Sequence, residues 1–229
     1  MGAGRHIPKI VPWGRSLDEY MRMFSLTDDD RNRFILGCGD GPASFSAEWR
    51  TAGGRVVSID PVYQYSADAI ASRIDEAREL IVANTLTNMD AYVWDEMKSV
   101  ENLVDVRTSA MNRFLEDYGA GGTAYVAAQL PDLPFVDRQF DLSLCSHFLF
   151  TYSELISAEL HVVFLREVLR VAAEVRVFPV LDMDGARSPH VDAVVDALAR
   201  SGFAPTIERV HYEYQKGGNE MLRIRTNIP

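Results

Sequence analysis

The chain has 229 residues with a formal net charge of −10, 47% hydrophobic residues and two cysteines. That length suits one domain with a sizeable core, and the composition is that of an ordinary soluble globular protein. The acidic balance, without a basic block, argues against a nucleic-acid partner, because such binding depends on Lys and Arg neutralising phosphates. Two distant cysteines give neither a disulfide framework nor a metal spacing, no metal site is expected, and a reduced cytoplasmic setting follows. No secretory leader or membrane-length apolar run appears.

Residues 1–15 carry Pro8, Pro12 and Gly14 and read as an irregular arm. Ser16-Leu17-Asp18-Glu19 is a capping box that should open a helix with Leu17, Tyr20, Met21 and Phe24 on one face. That helix either packs on a sheet edge or covers a ligand. Asp28, Asp29 and Asp30 read as a solvated turn. Next comes Phe34-Ile35-Leu36-Gly37-Cys38-Gly39-Asp40-Gly41-Pro42, an apolar run ending in three alternate glycines. We read it as strand, tight loop and helix, the helix running from Pro42 to about Thr51. Glycines there let the backbone turn sharply and approach a ligand. Pro42 occupies the third-glycine position of the dinucleotide fingerprint, which argues against a nicotinamide-dependent oxidoreductase. A second strand, Arg55–Ile59, ends in Asp60, whose carboxylate suits a ribose diol; the bland reading is a turn or cap residue.

Residues 62–122 show three helical patterns. The first holds Ala67, Ile70, Ala71, Ile74, Ala77 and Ile81 after Ser66 as cap. The second is short and holds Val93, Trp94 and Met97. The third runs from Leu103 to Tyr118 and is closed by Gly119. Strand three is Thr123 to Ala128 and strand four is Phe140–Cys145, delivering Ser146-His147-Phe148 at its carboxyl end. A helix over about 157–171 follows, then a strand over Val175–Leu181 that Pro179 should bulge or shorten. Asp182–Gly185 makes a loop, and Ser188-Pro189 opens a helix ended by Gly202. Strands at about Thr206–Gln215 and Glu220–Arg225 are joined as a hairpin by Lys216-Gly217-Gly218-Asn219.

Three pieces in order carry a resemblance: Leu36–Gly41, Val57-Ser58-Ile59-Asp60, and Leu133-Pro134-Phe135-Val136-Asp137-Arg138-Gln139-Phe140-Asp141-Leu142. Together they resemble the class I S-adenosylmethionine-dependent methyltransferases, from about residue 33 onward. The resemblance implies an α/β, Rossmann-like fold: a seven-stranded, mostly parallel sheet with an antiparallel last strand. The whole chain, 1–229, would be one domain, with an N-terminal arm and helix over 1–30 and a helical insertion of roughly forty residues within 62–122. The insertion would cover the substrate side or make a homodimer interface. The implied activity is methyl transfer from S-adenosylmethionine, leaving S-adenosylhomocysteine, to a small-molecule acceptor. The alternatives are a catalytically silent binder of the same cofactor and, behind it, the oxidoreductase.

On that resemblance Gly37, Cys38, Gly39, Asp40 and Gly41 border the cofactor, Asp60 and Pro61 take its ribose, and Gln129 and Leu130 meet the adenine. Ser146 and His147 stand near the methyl group. The family commonly has an acidic residue two positions before Gly37; Ile35 stands there instead, and Asp40 is the nearest carboxylate. His147 is the candidate base, or simply a pocket-wall residue. Tyr63, Tyr65 and Tyr152 either line a substrate pocket or pack. Cys38 and Cys145 end neighbouring strands and read as small core residues.

Overall fold

The computed structural model describes residues 13–226, so most of the arm over 1–15 lies outside the described residues. Thirteen regular elements follow: α1 (Leu17–Met23), β1 (Phe34–Cys38), α2 (Phe45–Thr51), β2 (Arg55–Ile59), α3 (Ala67–Thr87), α4 (Val100–Gly119), β3 (Tyr125–Val126), β4 (Leu142–Ser146), α5 (Ala158–Val171), β5 (Glu174–Phe178), α6 (Val191–Arg200), β6 (Phe203–Arg209) and β7 (Glu220–Thr226). The strands form one sheet in the order β3-β2-β1-β4-β5-β7-β6. β1 through β5 pair in parallel, and β7 runs antiparallel to both β5 and β6. This is the seven-stranded, mostly parallel Rossmann-like sheet with an antiparallel last strand that the resemblance implies.

Alternation along the strands divides the core. Leu36, Cys145, Val175, Val177 and Leu222 face α5 and α6, whose Leu165, Val168 and Val194 complete that layer. Ile35, Leu144, Phe178 and Met221 face the other way, toward Tyr20, Met23, Phe24, Phe45 and Trp49 of α1 and α2. α3 and α4 pack together around Tyr63, Ile70, Ile74, Met111 and Phe114. Ser16 and Ser66 cap their helices where the sequence places caps, and Ser157, read only as the start of a helix, caps α5; each accepts an N–H from the first turn.

A buried ion pair fixes α1. Arg107 of α4 donates to Glu19, and the Tyr212 hydroxyl donates to the other Glu19 oxygen at 2.8 Å. Burial alone would raise the Glu19 pKa, but Arg107 and then Arg15 outweigh it and hold the carboxyl at about 2. Among the three acidic residues after α1, Asp30 is buried and paired with Arg33 and Arg176, so only part of that turn is solvated.

Several boundaries differ from expectation. The helix after the glycine loop begins at Phe45, not Pro42, because Asp40–Ser44 first turns the chain; the Ser44 N–H donates to the Arg15 carbonyl. The pattern around Val93, Trp94 and Met97 makes no helix. Tyr92 instead bridges Gln215, and the Val93 N–H donates to the Tyr214 carbonyl at 2.7 Å. Strand three shortens to Tyr125–Val126, since β2 pairs with it at only two positions. β5 stops at Phe178, before Pro179. β6 begins earlier and ends at Arg209. Residues 210–219 are therefore no tight hairpin: they leave the sheet and meet the segment after α3.

Candidate functional site

A cavity of about 850 Å³ opens at the carboxyl ends of β1, β2, β4 and β5. This is the expected place for a ligand on a sheet of this type, and the volume lies in the upper part of the roughly 300–1,000 Å³ range of small-molecule pockets. Its floor is the glycine loop. Gly39 and Gly41 take the left-handed conformation, at φ +70° and +52°, which side chains strongly disfavour. A Cβ on Gly39 would stand 3.2 Å from the Phe148 ring. Gly37 serves differently. It does not line the cavity, and a Cβ there would stand 1.7 Å from an Asp40 carboxylate oxygen. Gly37 is thus the gap into which Asp40 folds.

Asp40 is buried, accepting from the Tyr20 hydroxyl at 2.8 Å and the Ser58 hydroxyl at 2.5 Å. Burial raises its pKa to about 7; the two hydroxyls pull it down, and the nearby Asp60 charge adds to the rise. The position two residues before Gly37 is Ile35, and Asp40 is the carboxylate that the loop itself brings to the floor of the cavity. Tyr20 and Ser58, in α1 and β2, have no local sequence signature as its partners.

Asp60 stands at the tip of β2. One oxygen accepts the Val62 N–H at 2.8 Å and the other the Gly41 N–H at 3.0 Å. The bland cap reading is thus correct as far as it goes, and Asp60 also pins the glycine loop. Each oxygen keeps a lone pair for a further donor. Pro61, Gln129 and Leu130 line the same cavity, as do Cys38, Ser146, His147, Tyr65 and Tyr152.

His147 has the left-handed φ of +50°, uncommon outside glycine and worth a functional hypothesis. Its Nδ1 lies 2.9 Å from Ser146 Oγ, and its N–H donates to the Phe178 carbonyl. Burial, then the charges of Arg15 and Arg107, push its pKa well below the ordinary histidine value.

Tyr63 does not face the cavity, which corrects its placement as a substrate residue. It is buried among Phe114, Tyr118 and Tyr125, and its hydroxyl donates to the Gly41 carbonyl at 2.7 Å. An aromatic ring one turn past a strand can point to either side, and the apolar face of α4 drew it inward. Cys38 and Cys145 are both buried, face each other in register across β1 and β4, and are free thiols.

The roof comes from α1 and the residues just before it, α3 and the segment after it, and residues 210–219, contributing Arg15, Tyr20, Arg73, Tyr92, Tyr212 and Tyr214. Two main-chain hydrogen bonds, Val93 to Tyr214 and Lys216 to Ala91, tie its two halves together. Three polar atoms on cavity-lining side chains are buried without partners: Arg15 Nε, Thr151 Oγ1 and the Tyr214 hydroxyl. Buried polar groups are ordinarily satisfied, so these three point to a polar ligand. Among the described residues there is no cluster of metal-ligating side chains, and no helix is long and apolar enough to cross a membrane.

No family model matches the chain. It is 31% identical over 222 residues to the uncharacterized protein MJ0045 of Methanocaldococcus jannaschii, spanning 96% of this chain and 98% of that one. Among solved structures it is similar to magnesium protoporphyrin IX methyltransferase from Synechocystis PCC 6803 with bound SAM. That match has a TM-score of 0.50 at 12% identity and covers 92% of this chain and 78% of the other. The chain therefore belongs to the family of MJ0045, and its fold is that of the class I S-adenosylmethionine-dependent methyltransferases.

Proposed function

We propose that the protein transfers a methyl group from S-adenosylmethionine to a small-molecule acceptor. The observation that carries this reading is the Asp60 carboxylate at the tip of β2, bonded to Gly41 of a left-handed glycine loop beneath the cavity. The residues present fit the cofactor. The Asp60 oxygens accept the ribose hydroxyls, and Ile59, Ala128 and Leu130 wall the adenine, with the Gln129 amide at its edge. Arg15, its Nε unpartnered, holds the amino-acid carboxylate, and Asp40 stands by the ammonium group. When bound, S-adenosylmethionine would supply an electrophilic methyl on a positive sulfur, with neutral S-adenosylhomocysteine as the leaving group.

The chain's own part is orientation, worth about 7–11 kcal/mol of the barrier, and proton removal. In the tautomer that donates Nδ1–H to Ser146, His147 offers Nε2 as the accepting nitrogen, and its low pKa keeps the imidazole neutral at pH 7. Tyr152 lines the acceptor side. Small-molecule chemistry suits a cleft of this size and the −10 charge better than a nucleic acid does.

Titration calorimetry with S-adenosylmethionine and S-adenosylhomocysteine on wild type and Asp60→Ala tests the reading. Micromolar binding that is lost in the variant is expected. Wild type that binds neither compound would overturn it.

A further inference from the structure

His147, Ser146, Tyr20 and Asp40 all line the cavity, and their polar atoms form one continuous line. His147 Nδ1 lies 2.9 Å from Ser146 Oγ. The Ser146 hydroxyl in turn faces the Tyr20 hydroxyl. Tyr20 donates to one Asp40 oxygen at 2.8 Å, and Ser58 donates to the other at 2.5 Å. The Tyr20 ring stacks on Phe45, with centroids 4.3 Å apart and planes at 10°. That stack holds the hydroxyl between Ser146 and Asp40.

Each hydroxyl in this line can accept one hydrogen bond while donating one. The line therefore has two complete settings. With Asp40 ionised, His147 Nδ1–H donates to Ser146, Ser146 to Tyr20 and Tyr20 to Asp40. With Asp40 protonated, every bond reverses, and His147 Nδ1 accepts from Ser146. The two ends hold a proton unequally. Burial, then the charges of Arg15 and Arg107, make His147 a poor holder. Burial raises Asp40 to about 7, and the Asp60 charge adds to the rise. Two other titratable groups near Asp40 stay protonated at that pH: Cys38, raised by its bond to Cys145 and by burial, and Tyr63, raised by burial. A proton that reaches His147 thus runs downhill to Asp40.

Resting on the methyltransferase reading above, we infer that Ser146 and Tyr20 relay a proton from His147 to Asp40, and that the acceptor is methylated at an O–H or N–H group. The acceptor's proton goes to His147 Nε2. The Nδ1 proton goes to Ser146, the Ser146 proton to Tyr20 and the Tyr20 proton to the Asp40 carboxylate. One O–H or N–H bond of the acceptor is lost and one O–H bond forms on Asp40. Both hydroxyls are restored, and His147 ends neutral as its Nε2–H tautomer. Charge is conserved, because the positive charge on sulfur and the negative charge on Asp40 disappear together. Tyr20 and Asp40 act through His147 without touching the acceptor. An acceptor that is already anionic, or a thioether, would leave the relay no proton to carry.

The test follows the His147 tautomer by NMR in the full chain with isotope-labelled histidine nitrogens, between about pH 5.5 and 9. His147→Gln assigns the signals. Wild type should carry the proton on Nδ1 at high pH and on Nε2 at low pH, with a midpoint of about 7. Tyr20→Phe keeps the ring on Phe45 and should abolish the change, as should Asp40→Asn. Ser58→Ala leaves the line whole but removes a donor that holds the Asp40 pKa down. Its midpoint should move upward by about one pH unit. A tautomer constant over the range, a change that survives Tyr20→Phe, or a midpoint unmoved by Ser58→Ala each overturns the inference. S-adenosylhomocysteine is titrated into the same wild-type sample. Protein that binds it without a tautomer change loses the relay and keeps the methyltransferase reading. Protein that does not bind it loses both.

Discussion

Replacing Asp40 by Asn should make stability depend less on pH, and the size of the change follows from the burial of one carboxyl. Asp40 titrates at about 7 in the folded chain against an ordinary value of 3.8. The folded state holds this proton more tightly than the unfolded state does, so wild type loses stability as pH rises from about 4 through 7. Between pH 5 and 7 the loss is two pKa units at about 1.36 kcal/mol each, or roughly 3 kcal/mol. Asn imitates the neutral acid and titrates nowhere. The stability gap between Asp40→Asn and wild type should therefore widen by about 3 kcal/mol from pH 5 to pH 8. For a domain of this size that is roughly 6–12 °C in Tm. Thermal unfolding of both proteins across that pH range measures it. A gap that stays constant with pH refutes the assignment of the raised pKa to Asp40. Because a cationic cofactor favours the ionised carboxylate, its binding to wild type at pH 6 should release protons. The release would be seen as a calorimetric enthalpy that varies with the buffer, and Asp40→Asn should abolish it.

Arg107→Met should cost about 3–5 kcal/mol in denaturant unfolding, because it leaves the Glu19 carboxylate buried and unpaired; the Glu19→Leu/Arg107→Met double variant should recover most of that loss. Conversely, the share of stability that Glu19 contributes is present above pH 4.5 and disappears as pH falls toward 2; a Glu19 variant whose acid unfolding follows wild type contradicts it. Gly37→Ala places a Cβ where the Asp40 carboxylate sits, so it should expel Asp40 and weaken cofactor binding more than tenfold by calorimetry, whereas Gly53→Ala, at a position with open space but a positive φ, should affect only stability. Tyr63→Phe removes the hydrogen bond to the Gly41 carbonyl, at about 0.5–1.5 kcal/mol; it should loosen cofactor binding severalfold and leave acceptor KM unchanged, and a change confined to acceptor KM would restore Tyr63 to the substrate wall.

The parts of the fold that local chemistry specifies were legible in the sequence. Strand-length apolar runs at Phe34–Cys38 and Arg55–Ile59, serine caps at Ser16 and Ser66, and alternate glycines at Gly37, Gly39 and Gly41 each carry their own reason. What escaped depends on contacts between distant segments. Val93, Trp94 and Met97 have helical spacing, but Tyr92 and Val93 find backbone partners at Tyr214 and Gln215, and such pairing overrides periodicity. The end of β6 at Arg209 was missed because Tyr212 and Tyr214 continue an alternating pattern while serving the roof. In the site, the floor was readable because backbone geometry demands glycine. The Tyr20–Asp40–Ser58 set and the two cavity arginines were not, since each joins side chains from separate elements.

The position of β7 bears on how the chain is built. It is made after every other described strand, yet it lies between β5 and β6. Until it emerges from the ribosome, β5 has one unpaired edge and β6 has no sheet to join, and open edges invite pairing with other chains. The docking of α1 waits as well, because Tyr212, which holds Glu19, is made only just before β7. At about 5–20 residues per second, the first helix and the glycine loop are exposed for many seconds before their partners exist. A nascent chain stalled after Arg209 should therefore carry the five parallel strands β1 to β5 without a closed cavity.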